Sequence, residues 1–457
     1  MRLSNFNEKK ITARNFKQHL SIKNIVKVNA LSAALLAISA PSYSETNKLF
    51  NDRLEIDLLA LQGFQLIQAK DGAFRPGDED QEAGFERLRV NVQLRFHVTD
   101  HIRADIDIAE EPNDFGNNGD RDFAFHQDFG GIEFELLGLS GVARENADLT
   151  LRVGNIGAAP FQFKGFQDGA DNQGNALIGN SPVDYATAEN GIQLSYSESA
   201  LGGAIESYNI AGHITGSSFG EQFQDGRGFN LRLQGTLNFA GGFKAGLNFF
   251  QADQGDQLEF GADGIASLDG VTTTNYRFGD GENYNFSASG SSSRETHIGA
   301  MPGLDMSIVQ LNLAYQPNDN TSLIAMFGQA EDDYAFVDSG GVIQAGNVFI
   351  DSVTNARAEG SQVVEASSGV DYFVLEGQQY LVPNKFYLAA RYTNATNETD
   401  GVNDEDTLER LQVGLGYWIN KKTLWKLEFV DQDEDANSGG QIGGGFDGLT
   451  TEVSVKF

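Results

Sequence analysis

The stretch that decides the fold is residues 85–98, FERLRVNVQLRFHV. Leu88, Val90, Val92, Leu94, Phe96 and Val98 fall on one side of a period of two, and Arg87, Arg89, Asn91, Gln93, Arg95 and His97 fall on the other. Side chains of an extended chain point alternately to opposite faces, so this is one strand with an apolar face and a polar, charged face. The same division returns in Phe229, Leu231, Leu233, Leu237 and Phe239 against Asn230, Arg232, Gln234, Thr236 and Asn238. It returns again in Leu411, Val413, Leu415 and Tyr417 against Arg410, Gln412, Gly414 and Gly416, and in Trp425, Leu427 and Phe429 against Lys426 and Glu428. Segments of about ten residues are what a tilted strand needs to cross a bilayer.

A soluble sandwich alternates too, and the connections between segments separate the two readings. Short ones alternate with long ones. Thr99-Asp100-His101, Ala240-Gly241-Gly242, Pro317-Asn318-Asp319-Asn320, Pro383-Asn384-Lys385 and Asn420-Lys421-Lys422 are short and have turn chemistry. The others are long, acidic and glycine-rich, an asymmetry that transmembrane barrels show between their two ends. Strands then start near residue 53, near 84 and 102, 129 and 148, 188 and 203, 227 and 243, 305 and 321, 370 and 386, and 406 and 423, with a terminal strand over 449–457. This predicts an all-β fold, a transmembrane antiparallel up-and-down β-barrel of about 16 strands. Segments 254–304 and 333–369 have room for a further hairpin, which would make 18. No repeat beyond the hairpin rhythm divides the chain, so a single barrel is expected over 45–457.

Composition narrows the function. The 457 residues hold no cysteine and six histidines, which excludes a disulfide scaffold, a cysteine-ligated zinc site and a thiol nucleophile. No G-x-S-x-G motif or histidine pairing supplies an enzyme, so neither a catalytic site nor a cofactor is expected. With 64 acidic against 32 basic residues the chain would repel a phosphate backbone, and no nucleic-acid partner is expected. Arg2, Lys9, Lys10, Arg14, Lys17, Lys23 and Lys27 precede an uncharged run, 28–40, rich in Ala and Leu. That is a secretory signal over 1–44, cut after Ser44 or alternatively after Ala40. The run is short of the roughly 20 residues of a membrane-spanning helix. Its removal leaves 25 basic and 63 acidic residues. The predicted destination is the outer membrane of a Gram-negative cell. The closing alternation of Thr451, Val453, Val455 and Phe457 resembles the signal read by the barrel assembly machinery.

Facing inward in this scheme are Arg87, Arg89, Arg95, Arg103, Arg152, Arg232, Lys244, Arg391, Arg410, Lys426 and Lys456, with Glu55, Asp57, Asp105, Asp107, Glu133, Glu135, Glu428 and Glu452. Two readings stand open. The charges satisfy one another across neighbouring strands, or the arginines form a ladder that guides anions. The acidic runs Asp78-Glu79-Asp80, Glu331-Asp332-Asp333, Asp404-Glu405-Asp406 and 431–435 read as solvated outer loops, with cation binding at the lipopolysaccharide boundary as the alternative. Asp431, Asp433, Asp435 and Asn437 have the spacing of a calcium loop, but Ala436 and Ile442 stand where its glycine and closing glutamate belong, so no metal site is predicted.

Residues 151–196 read LRVGNIGAAPFQFKGFQDGADNQGNALIGNSPVDYATAENGIQLSY. In Val153-Gly154, Pro160-Phe161 and Gly191-Ile192-Gln193 this resembles the phosphate-selective porin O and P family, with Asn155, Gly157 and Ala158 where that family tends to carry Lys or Arg before Pro-Phe. The resemblance implies a sixteen-stranded, trimeric porin whose third loop, 156–187, folds into the lumen. Phe161, Phe163, Phe166 and Leu177 would anchor that loop, and Gly165, Gly169, Gly174 and Gly179 would allow close approach. Lys164, Asp168, Asp171 and Asp184 would then form the pore constriction, opposed by Arg87, Arg89 and Arg152. The expected function is passive diffusion of small hydrophilic solutes or ions, anions among them. The alternative is a barrel-anchored surface adhesin or receptor acting through the long acidic loops.

Overall fold

A computed structural model of the chain describes residues 47–49, 53–70, 81–110, 126–142, 144–157, 173–178, 188–202, 204–217, 227–237, 242–253, 258–260, 266–268, 271–272, 305–338, 362–399, 406–435 and 446–457. The main sheet holds seventeen strands among them, a three-residue strand Asn47–Leu49 that pairs with the start of the first long one, and sixteen long strands: β1 Leu54–Ala69, β2 Gln81–Thr99, β3 Ile102–Glu110, β4 His126–Glu135, β5 Ala147–Gly157, β6 Ala188–Glu198, β7 Ile205–Ser217 and β8 Arg227–Leu237. They continue as β9 Phe243–Asp253, β10 Asp305–Asn318, β11 Thr321–Asp338, β12 Gln362–Val382, β13 Phe386–Thr399, β14 Asp406–Asn420, β15 Thr423–Asp435 and β16 Phe446–Lys456. Each pairs antiparallel with the next, including β9 with β10 across the long segment between them. The last strand returns to the first, from Leu59 opposite Lys456 to Ala69 opposite Phe446. Every one of the sixteen is therefore paired on both edges, and the sheet closes on itself, which is the condition for a sheet to cross hydrocarbon.

The eighteen-strand count does not hold among the described residues. Within 254–304 the three short strands Leu258–Phe260, Ala266–Leu268 and Val271–Thr272 form a separate small sheet. Much of 333–369 is taken up by the outer ends of β11 and β12, paired as far as Asp338 opposite Gln362. The short connections are closed by their own side chains. Thr99 Oγ1, Asn318 Oδ1 and Asn420 Oδ1 accept from the backbone N–H groups of His101, Asn320 and Lys422, and Asn384 takes the left-handed conformation at φ 55. A register shift falls beside four of these turns, where an extra residue tightens the hairpin.

The alternation places the faces as the sequence implies. Leu411 and Val413 are 42% and 46% exposed on the outside, and Arg410 and Gln412, which alternate with them, point inward and are buried. On β2, Phe96 and Val98 are exposed outside and Arg89 and Asn91 are buried inside. An apolar outside over a polar inside is the inverse of a soluble barrel and suits lipid. Near the short-turn end the outer face carries aromatic side chains with polar handles. The hydroxyls of Tyr196 and Tyr208 both donate to Glu198, at 3.1 and 2.9 Å, Lys385 lies over the Tyr417 ring, and Trp425 Nε1 donates to Thr451 Oγ1. Such rings belong at a membrane–water interface. The expected signal, 1–44, lies outside the described residues.

Candidate pore constriction

Residues 173–178 lie between β5 and β6 in the chain, yet their partners are inward-facing groups of β13–β16 and a carbonyl of the β14–β15 turn, about half the ring away. Gln173 Nε2 donates to the Lys422 carbonyl at 3.0 Å and to Ser454 Oγ at 3.1 Å. Lys426 Nζ donates to the Leu177 carbonyl at 3.2 Å, and the Ile178 N–H donates to the Glu428 carboxylate. Irregular backbone inside a barrel needs partners from protein or lumen water, and here the wall supplies them. Ala176 and Leu177 pack with Tyr387, Ala389 and Leu424, and Tyr380 and Trp418 flank the cluster. Gly414 makes the seat possible. A Cβ at that position would lie 2.7 Å from Leu177 Cδ2, so a side chain there would force Leu177 to shift.

The wall beneath is charged and nearly dry. Arg391 donates through Nε and Nη2 to Glu376 Oε2, at 2.8 and 2.6 Å, and through Nη1 to Gln412 at 3.5 Å. Gln412 donates to Glu428, Arg410 donates to Gln432 at 2.7 Å, and Lys426 faces Glu452 at 3.9 Å. Burying these charges is tolerable only because each has a counter-charge or hydrogen-bond partner.

On β1–β5, also close to the short turns, the inner wall carries a second set of charges. Arg95 bridges Glu55 and Asp105 at 3.1 and 3.2 Å. Arg103 bridges Asp105 and Glu133 at 3.1 and 3.0 Å, and Arg152 bridges the same two at 3.5 and 3.2 Å. Cross-strand register sets this up, since Glu55 stands opposite Arg95, Arg95 opposite Asp105, and Glu133 between Arg103 and Arg152. These six side chains keep 14% to 33% of their surface.

The expected site residues divide accordingly. Arg95, Arg103 and Arg152 line the water-accessible wall. Arg89, Arg391 and Arg410 face inward as predicted but are buried, the last two at 1% exposure, so they are not the solute-facing arginines the alternation implies. Arg391 and Arg410 are closed in by Glu376, Gln412 and Gln432 on neighbouring strands, contacts that strand periodicity does not encode. Arg87 and Arg232 stand on β2 and β8, with side chains outside the described residues. Lys164, Asp168, Asp171 and Asp184, with Phe161, Phe163 and Phe166, also lie outside them. Gln173, Ile178, Glu376 and Gln432 were missed by sequence reasoning. The run Ala176-Leu177-Ile178 inside a polar loop was the available signal for a buried seat. In the calcium-like run, Asp431 and Asp433 instead hold Lys70 Nζ, the latter at 2.7 Å.

A closed antiparallel barrel, apolar outside and polar within, is the architecture of an outer-membrane β-barrel protein. Solved structures of the same architecture match the chain over most of its length. OmpF of Salmonella typhi, in complex with daunomycin, matches at 11% identity with a TM-score of 0.51, over 90% of this chain and all of the other. Outer-membrane expressed OmpT of Vibrio cholerae matches at 10% identity and TM-score 0.47, over 90% and 100% of the two chains. An anion-selective porin from Comamonas acidovorans matches at 10% identity and TM-score 0.46, over 88% and 100%. At these identities the likeness to OmpF shows the porin fold and nothing finer. No protein-family model matches the chain, the phosphate-selective porins included, and no curated protein matches it.

Proposed function

We propose that the protein is an outer-membrane porin through which small hydrophilic solutes diffuse passively, with residues 156–187 crossing the lumen as a strap that narrows it. The observation that carries this reading is the seat of residues 173–178 on inward-facing groups of β13–β16, half the ring from the strands that flank them. The water-accessible ion pairs of β1–β5 lie at the same end of the barrel and supply a polar wall beside the narrowed opening. The short turns face the periplasm and the long acidic loops face outward, toward lipopolysaccharide. Selection in such a channel is by size and electrostatics, with no covalent step. The resemblance carried by Val153-Gly154, Pro160-Phe161 and Gly191-Ile192-Gln193 adds a trimeric assembly to the proposal and makes phosphate one of the solutes to try. The test is insertion of the purified protein into a planar bilayer. Discrete conductance steps are expected; folded protein that gives none would favour the adhesin or receptor reading and end this one.

A further inference from the structure

In the wet ladder of β1–β5, each of the three guanidinium groups is shared between two carboxylates, and three acids match three bases. Among the described residues of the facing wall, Arg391, Arg410, Lys426, Glu428 and Glu452 are buried among their own partners. Selectivity for the sign of an ion needs uncompensated charge close to its path. A pair closed at 3.0 to 3.5 Å presents a local dipole instead, and salt screens what remains beyond about 8 Å at physiological ionic strength. The acidic excess of the whole chain is no guide here, because the ladder itself sums to zero.

We propose that this ladder is the solute-contacting wall of the constriction and makes the channel indifferent to the sign of charge, suited to small neutral and zwitterionic solutes. The inference rests on the channel reading above. Guanidinium donors and carboxylate acceptors alternate across β1–β5, so a zwitterion meets an acceptor for its cationic end and a donor for its anionic end. A simple anion would have to compete with Glu133 and Asp105 for the same arginines.

The experiment uses the mature protein in planar bilayers under a potassium chloride gradient. A reversal potential near zero is expected, with chloride and potassium permeabilities within roughly twofold of each other. Glu133→Gln removes a negative charge beside Arg103 and Arg152 and should tilt the ratio toward chloride; Arg95→Gln removes the positive charge between Glu55 and Asp105 and should tilt it toward potassium. One unpaired charge about 8 Å from the path in water changes either permeability by roughly twofold. Glu55→Gln gives a second anion-favouring variant should Glu133→Gln fail to fold. Strong preference for either ion in the unaltered protein, or variants that leave the ratio fixed or move it the same way, would overturn the ladder assignment while the steps themselves keep the channel reading. Absence of any steps from folded protein would remove both.

Discussion

Two stretches of inner wall carry the same kinds of side chain under opposite conditions. On β12–β16, Glu376, Arg391, Gln412, Lys426, Glu428 and Glu452 are buried, and residues 173–178 rest on part of this network through their own backbone. On β1–β5, Glu55, Arg95, Arg103, Asp105, Glu133 and Arg152 pair with one another and still touch water. Inward alternation is identical on both. What differs is burial, a local property and not one of a whole wall, since Arg89, Asn91 and Asp107 are buried on β2 and β3, and it decides whether a charge is structural or available to a solute.

The contrast is broken most directly at the ion pairs. Glu376→Gln strips the Arg391 guanidinium of its carboxylate inside a packed wall and should cost about 3–5 kcal/mol. Asp105→Asn on the wet ladder, whose three arginines keep Glu55 and Glu133 as partners, should cost less, about 1–2 kcal/mol. Refolding titrations in lipid measure both, and equal costs would erase the distinction between the walls. The faces themselves come next. Leu94→Arg puts a charge on the outer face and should cost about 2–4 kcal/mol near the midplane, while Gln93→Arg on the lumen side should be close to neutral. Reversed costs would mean a register displaced by one residue.

Gly414→Val tests the seat. Its new side chain collides with Leu177, so an overpacking cost of about 1–3 kcal/mol should come with raised single-channel conductance as the strap lifts. Unchanged values of both would mean that Leu177 is not held there. The smallest effect is expected at Lys70→Ala, outside the barrel wall, where Asp433 is largely exposed: about 0–1 kcal/mol, shrinking further at high salt. A larger loss in the same refolding titration would give the outer rim a structural role that this account denies it.

Much of the fold was legible because a strand's period of two is local. FERLRVNVQLRFHV reveals its two faces without reference to any neighbour, and Asn420-Lys421-Lys422 reveals a turn. Strand starts read from the sequence at 102, 386, 406 and 423 are the observed ones, and the start read at 370 falls at 362, where β12 already pairs with β11. The ladder was half legible. Alternation puts Arg95 and Asp105 inward, but their contact depends on register between strands, which turn length and the bulge beside it set. The seat of residues 173–178 was the least legible, because Gln173, Lys422 and Ser454 meet only after the ring has closed. No local pattern in one chain encodes which part of the far wall a long loop will meet.

The central claim is that residues crossing from β5 to β6 narrow the lumen by docking on β13–β16. Single-channel conductance of a variant in which a short Gly-Ser linker replaces residues 162–180 tests it most directly. The variant should fold, insert and conduct more than the unaltered protein, with weaker size exclusion of neutral solutes. Unchanged conductance and size exclusion in a correctly folded variant would contradict the claim and place the constriction elsewhere.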